Sequence, residues 1–160
     1  MAKSGEVAAY SADLSVSRAA AAHRAGVDAC RLATSSMVVM VRGYNAFVQR
    51  LNQVNAYDRV GDLDDKARAS LIAGSDRLRP ELVGGTPADV TDALRAFLAT
   101  TDALGEAIRR RETTGLNPVS ARWTREKSAV LAVCARYLPP PPTPGSGPES
   151  PVPSSATPTR

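Results

Sequence analysis

The side chains that could do chemistry are few in this chain of 160 residues, which has one histidine and two cysteines. His23 has no second histidine with which to share a metal ion. Cys30 and Cys134 lie far apart in the sequence, unlike the closely spaced ligands of a zinc site. On a single helix, His23 and Cys30 would be about 10 Å apart, too far for a base to activate a nucleophile. We therefore predict no catalytic residue, no metal site and no cofactor, and a packing or surface role for His23.

Two local patterns partly match ligand-binding motifs but do not meet their requirements. Asp62-Leu63-Asp64-Asp65 lacks the further oxygen ligands, the turn glycine and the closing glutamate of a calcium loop. Acidic residues are favourable at the positive end of a helix, which explains this cluster better. Gly84-Gly85-Thr86-Pro87 precedes a helical pattern but has neither the lysine nor the preceding strand of a phosphate loop.

Arg109-Arg110-Arg111 and Trp123 are the residues that could contact a partner. The arginines fall in the last turn of a predicted helix, where positive charge is favourable. The alternative is a contact for an acidic partner or a phosphate-rich surface. Trp123 is either a core residue of the last helix, which we favour, or an exposed interface residue. Thr34 lies on an apolar helix face and could line a cleft between helices, although a local hydrogen bond is the commoner role.

The two cysteines lie on the apolar faces of the first and last predicted helices. At 1.5 Å per residue, Cys30 is about 32 Å from Leu51 and Cys134 about 21 Å from Ser120. The mismatch of about 10 Å must be absorbed if the two Cα atoms are to come within bonding distance. We predict a Cys30–Cys134 disulfide, which would indicate an oxidising compartment. Two buried free thiols are the alternative.

The apolar periodicity, together with the glycine, proline and capping residues at helix boundaries, predicts four helices. The first covers about Asp13–Asn52, the second Asp62–Arg79, the third runs from Thr86-Pro87-Ala88-Asp89 to the three arginines, and the fourth covers Ser120–Leu138. Thr86 would cap the third helix and Pro87 would be its first residue. We expect residues 1–12 to be a flexible N-terminus, 13–138 to be the helical bundle and 139–160 to be a disordered tail rich in Pro, Ser and Thr. Gly26 could break the first helix in two.

A heptad stripe marks the expected core face of the first helix. It comprises Val16, Ala20, His23, Val27, Cys30, Thr34, Met37, Val41, Tyr44, Val48 and Leu51. A second row widens this face toward the C-terminal half, formed by Ala33, Met40, Phe47 and Val54.

Composition and charge restrict the possible partners. The net charge of +4 is small, and the arginines are scattered among acidic residues rather than gathered on one face, so we expect no nucleic-acid partner. Uninterrupted apolar runs such as residues 37–41 are far short of the roughly 20 residues of a transmembrane helix. Met1–Glu6 lacks the apolar region of a signal peptide, which fits either a cytosolic chain or an exported portion without its targeting segment.

Short loops between consecutive helices favour an all-α, antiparallel, up-down-up-down four-helix bundle with a long first helix and a Pro-rich tail. We expect a non-enzymatic binding or structural module that is exported or associated with the cell envelope, with a protein or an envelope component as its partner. Two alternatives remain open. One is a cytosolic adaptor that uses the Pro-rich tail to bind partners, and the other is a bundle that binds a small molecule.

Overall fold

The computed structural model describes residues 3–140. Its helices are α1 (Ser4–Val54), α2 (Leu63–Leu78), α3 (Ala88–Arg109) and α4 (Leu116–Cys134), and two short 3₁₀ turns cover Tyr57–Arg59 and Arg79–Leu82. The predicted four-helix bundle is confirmed. The part of the expected C-terminal tail from residue 141 onward lies outside the described residues. Between residues 3 and 140, no helix is long and apolar enough to cross a membrane.

Neighbouring helices run antiparallel. Gly43 of α1 lies against Ser70 of α2, whereas Gly74, further along α2, lies against Met40, earlier in α1. The same reversal joins α1 to α4, where Tyr44 meets Trp123 and Cys30 meets Cys134. α3 and α4 are reversed in the same way, since Thr101 meets Trp123 and Asp89, earlier in α3, meets Tyr137 beyond α4. The chain therefore goes up, down, up and down, with α4 returning beside α1.

The helix boundaries differ from the sequence prediction at several places. α1 begins at Ser4 rather than Asp13, so residues 4–12, expected to be flexible, are helical, and the helix continues unbroken through Gly26. Pro118, expected in a loop, lies in the first turn of α4, where its missing N–H would have no helical partner in any case. Thr86 does not cap α3, because Pro87 occupies the N-cap position and no side chain bonds there.

The core is built on a face of α1 that is rotated from the predicted heptad stripe. Ala29, Ala33, Met40 and Phe47 are at most 1% exposed. Of the predicted stripe, Cys30, Met37, Tyr44 and Leu51 are buried, Val27, Thr34, Val41 and Val48 are half-buried, and Val16, Ala20 and His23 are exposed. The row that sequence analysis treated as a widening of the core is therefore its centre, and part of the heptad stripe remains at the surface.

Candidate functional site

The seam between α1 and α4 contains the disulfide. Cys30 and Cys134 are bonded, with their Cα atoms 5.5 Å apart, and both side chains are buried. The predicted axial mismatch falls to about 5 Å because α4 begins at Leu116 rather than Ser120, which places Cys134 about 27 Å from the start of its helix. Of the four pairs of neighbouring helices, α1 and α4 share the fewest contacts. The covalent bond therefore holds the least packed side of the bundle closed.

The residues after α4 extend this attachment. Tyr137 lies over Gly26, where any larger side chain would meet its ring, and its ring centre is 5.5 Å from that of His23. Its hydroxyl donates a hydrogen bond to Asp89 Oδ1 at 2.9 Å. Burial raises the pKa of Tyr137, and the hydrogen bond to Asp89 raises it further. Tyr137 thus links the residues that directly follow α4 to α1 and to the start of α3.

Trp123 is a core residue, which is the role favoured from the sequence, and not the exposed interaction residue considered as the alternative. It is 2% exposed, and its indole N–H donates to Thr101 Oγ1 at 3.0 Å. The Thr101 hydroxyl in turn donates to the Phe97 carbonyl at 2.8 Å. The indole also packs edge-on against Tyr44 and stacks on Phe97. A partner cannot reach this side chain in the folded bundle.

The three consecutive arginines lie at the surface at the end of α3, and each forms an ion pair. Arg109 and Arg110 both pair with Glu106, and the Arg109 hydrogen bond is the main reason that the pKa of Glu106 falls to about 2. Arg111 pairs with Asp58 of the first connection at 2.8 Å. These contacts support the predicted role at the helix end, and a partner contact through the arginines stays a prediction.

A polar cleft of about 320 Å³ lies beside these arginines. Its lining mixes carboxylates (Asp58, Asp64 and Asp65) with guanidinium groups (Arg68, Arg109 and Arg111). Tyr57 borders the cleft, and its hydroxyl donates to the carbonyl of Glu112. Burial, and then the negative charge of Asp64, raise the pKa of Tyr57 to about 12. The Tyr57 hydroxyl therefore stays protonated at neutral pH. Among residues 3–140, no cluster of potential metal ligands is found.

An apolar groove along the α1–α4 seam was not predicted from the sequence. Its volume is about 350 Å³, and its walls include Val38 of α1 and Leu131 of α4, which are 53% and 44% exposed. A second hollow of about 650 Å³ adjoins it, shares Thr34 and Leu131, and extends to Pro140. Thr34 also donates to the carbonyl of Cys30 at 2.9 Å, so it fills both roles considered for it. The sequence signal for this groove was Val38, an apolar residue next to Met37 of the predicted heptad stripe.

Fold and site together define an all-α four-helix bundle whose first and last helices are joined by a buried disulfide. The family described as the Rv2240c four-helix bundle domain matches residues 12–135. Because this match covers most of the chain, the protein belongs to that family. No curated protein and no solved structure matches the chain.

Proposed function

We propose that this chain is a non-enzymatic helical module of an exported or cell-envelope protein, and that it acts by binding a protein partner. The observation that carries the proposal is the buried disulfide between α1 and α4. Thiols of cytosolic proteins are normally kept reduced, whereas disulfides persist in oxidising compartments. The Cys30–Cys134 bond closes a separation of 104 residues. It can stabilise the folded chain only in a compartment where it stays oxidised.

The interactions of the reactive side chains support binding rather than catalysis. His23 lies against Tyr137, Trp123 donates to Thr101, and Tyr57 donates to a backbone carbonyl. Each of these groups thus has a contact that stabilises the bundle. The groove along the α1–α4 seam, in contrast, presents exposed apolar side chains to solvent, and such surfaces mark sites of protein association.

Localisation of the full-length protein in its own host tests the compartment. Intact cells would be treated with a reagent that labels exposed lysines and cannot cross the membrane, and a cytosolic marker protein would serve as the control. We expect labelling of this chain in intact cells while the marker stays unlabelled. Labelling that appears only after lysis, together with the marker, would contradict an extracytoplasmic location.

A Cys30→Ala/Cys134→Ala variant in the same cells provides the matched comparison. We expect it to accumulate to a lower level than the wild-type chain, because the unfolded fraction exposed to proteases rises when stability falls. Equal accumulation of the two chains would argue that the disulfide has no role in the working environment of the protein.

A further inference from the structure

We propose that two copies of this chain associate through antiparallel packing of their α1 helices, with the N-terminal part of each α1 lying in the α1–α4 groove of the other copy. This association rests on the proposed role of the groove as a site of protein association and names a second copy of the chain as the partner, but it does not depend on the compartment proposed above. It follows from three features of α1: a partly exposed apolar face, an N-terminal extension and the symmetry of its sequence.

The apolar face of α1 that lies outside the centre of the core is continuous and partly exposed, since Val27, Thr34 and Val41 are half-buried. Ala20, Val27, Thr34 and Val41 recur every seven residues, so they lie on one side of the helix. Val16 precedes Ala20 by four positions and Val38 follows Thr34 by four, and they are 70% and 53% exposed. The core side of the helix is formed by other residues. This face therefore remains available to a second helix.

The N-terminal extension of α1 lies outside the bundle. Residues 4–21 are all exposed, and the first buried residue of α1 is Gly26. The extension is about 27 Å long at 1.5 Å per residue. An isolated helix of this length is marginal in water, since helices in proteins gain most of their stability from tertiary packing. A surface that covers the extension would stabilise it.

The sequence of α1 is symmetric about Val27 in the way that such a pairing requires. Val16 and Val38 are each 11 positions from Val27, and Ala20 and Thr34 are each seven positions from it. When two α1 helices cross antiparallel at Val27, Val16 of one copy meets Val38 of the other, inside the groove. The two contacts are equivalent, as in a two-fold symmetric interface that closes with two copies.

The charges beside the groove favour the same register. Arg42 and Lys127 are the charged side chains that line it. In the antiparallel pairing centred on Val27, Asp13 of the second copy lies opposite Val41, the neighbour of Arg42 in the sequence. Arg24 and Arg31 of opposite copies also approach each other, but Asp28 is within four positions of both and offsets their repulsion.

Cross-linking of the full-length chain tests the register. Val27→Cys places a thiol on the two-fold axis, while the native cysteines remain occupied by their disulfide, and a short bis-maleimide would join the two copies. Val39→Cys is the matched control, because Val39 is 51% exposed and lies on another side of α1. We expect rapid formation of a covalent dimer from the Val27 variant alone. Equal or faster cross-linking of the Val39 variant would overturn the proposal.

Two further measurements separate this arrangement from other dimers. Val16→Cys and Val38→Cys should each cross-link poorly alone and efficiently when mixed, because only the mixture brings the two positions together. In sedimentation velocity, the wild-type chain should approach twice its mass of 16.8 kDa as its concentration rises. Val38→Asp should weaken the dimer at least tenfold with unchanged helicity, and Val39→Asp should leave it intact. A wild-type chain that stays monomeric at hundreds of micromolar would refute the proposal.

Discussion

Removal of the Cys30–Cys134 disulfide should cost a large part of the stability of the bundle. In the chain-entropy description, a cross-link that closes about 100 residues stabilises the folded state by about 4.7 kcal/mol, and here the separation is 104 residues. Domains of this size are stable by only about 5–15 kcal/mol in total. The reduced bundle should therefore fold but unfold far more easily.

Guanidinium unfolding of the oxidised and reduced wild-type chain measures this loss. Trp123 is the single tryptophan and is buried, so its fluorescence reports the opening of the core. We expect reduction to lower the midpoint by about 1–2 M.

The Cys30→Ala/Cys134→Ala variant should unfold near the midpoint of the reduced wild-type chain and should not respond to reductant. Alanine is the suitable replacement, since a buried serine hydroxyl without a partner would add its own cost. Identical midpoints for the oxidised and reduced wild-type protein would refute the reasoning that the bond holds the α1–α4 seam.

Four other substitutions test the packing of the core and the titration of Tyr57. Thr101→Val leaves the indole N–H of Trp123 buried without an acceptor and should cost about 1–3 kcal/mol in urea unfolding. Gly74→Ala should cost about 1–3 kcal/mol, because the added methyl group meets a core methionine. Gly105→Ala, in open space within a helix, should instead stabilise by up to about 1 kcal/mol, and the opposite order would contradict the packing described. The pKa of Tyr57 rises from 10.0 to about 12 on folding. The contribution of its protonated hydroxyl to the free energy of unfolding is therefore complete below pH 10 and is lost as the pH rises through 12. Stability measured between pH 10 and 12 should therefore fall less steeply in Tyr57→Phe, and an unchanged slope would exclude this role.

The fold could be predicted from the sequence because helix-ending residues clearly separate the helices and because the loops are short. Gly84-Gly85 and the residues that follow separate α2 from α3, and Asn55 adopts a left-handed conformation at the end of α1. The start of α1 could not be predicted, because residues 4–12 bury nothing and so carry no core pattern. The rotation of the core face was missed because alanines supply its N-terminal half. Ala29 and Ala33 are weak signals in a chain rich in alanine, yet small side chains allow close helix packing.

The disulfide could be predicted, while the groove beside it could not. Both cysteines lie on apolar faces of helices that the topology brings together, and this is enough to pair them. The groove depends on how far α4 stands from α1, and that distance is set by side chains at several levels of the bundle. Trp123 shows the same limit. A core position was favoured for Trp123 from the sequence, but the partner of its indole N–H could not be predicted. Thr101, 22 positions away, provides the acceptor that allows the indole to be buried.

The oxidation state of the cysteines in the cell tests the central claim most directly. Cells of the natural host would be quenched in acid, and the unreduced, unfolded protein would be treated with a maleimide and weighed intact. A chain with the Cys30–Cys134 disulfide in an oxidising compartment should carry no maleimide, and it should take up two maleimides only after reduction. Two maleimides before reduction would contradict both the disulfide and the proposed location.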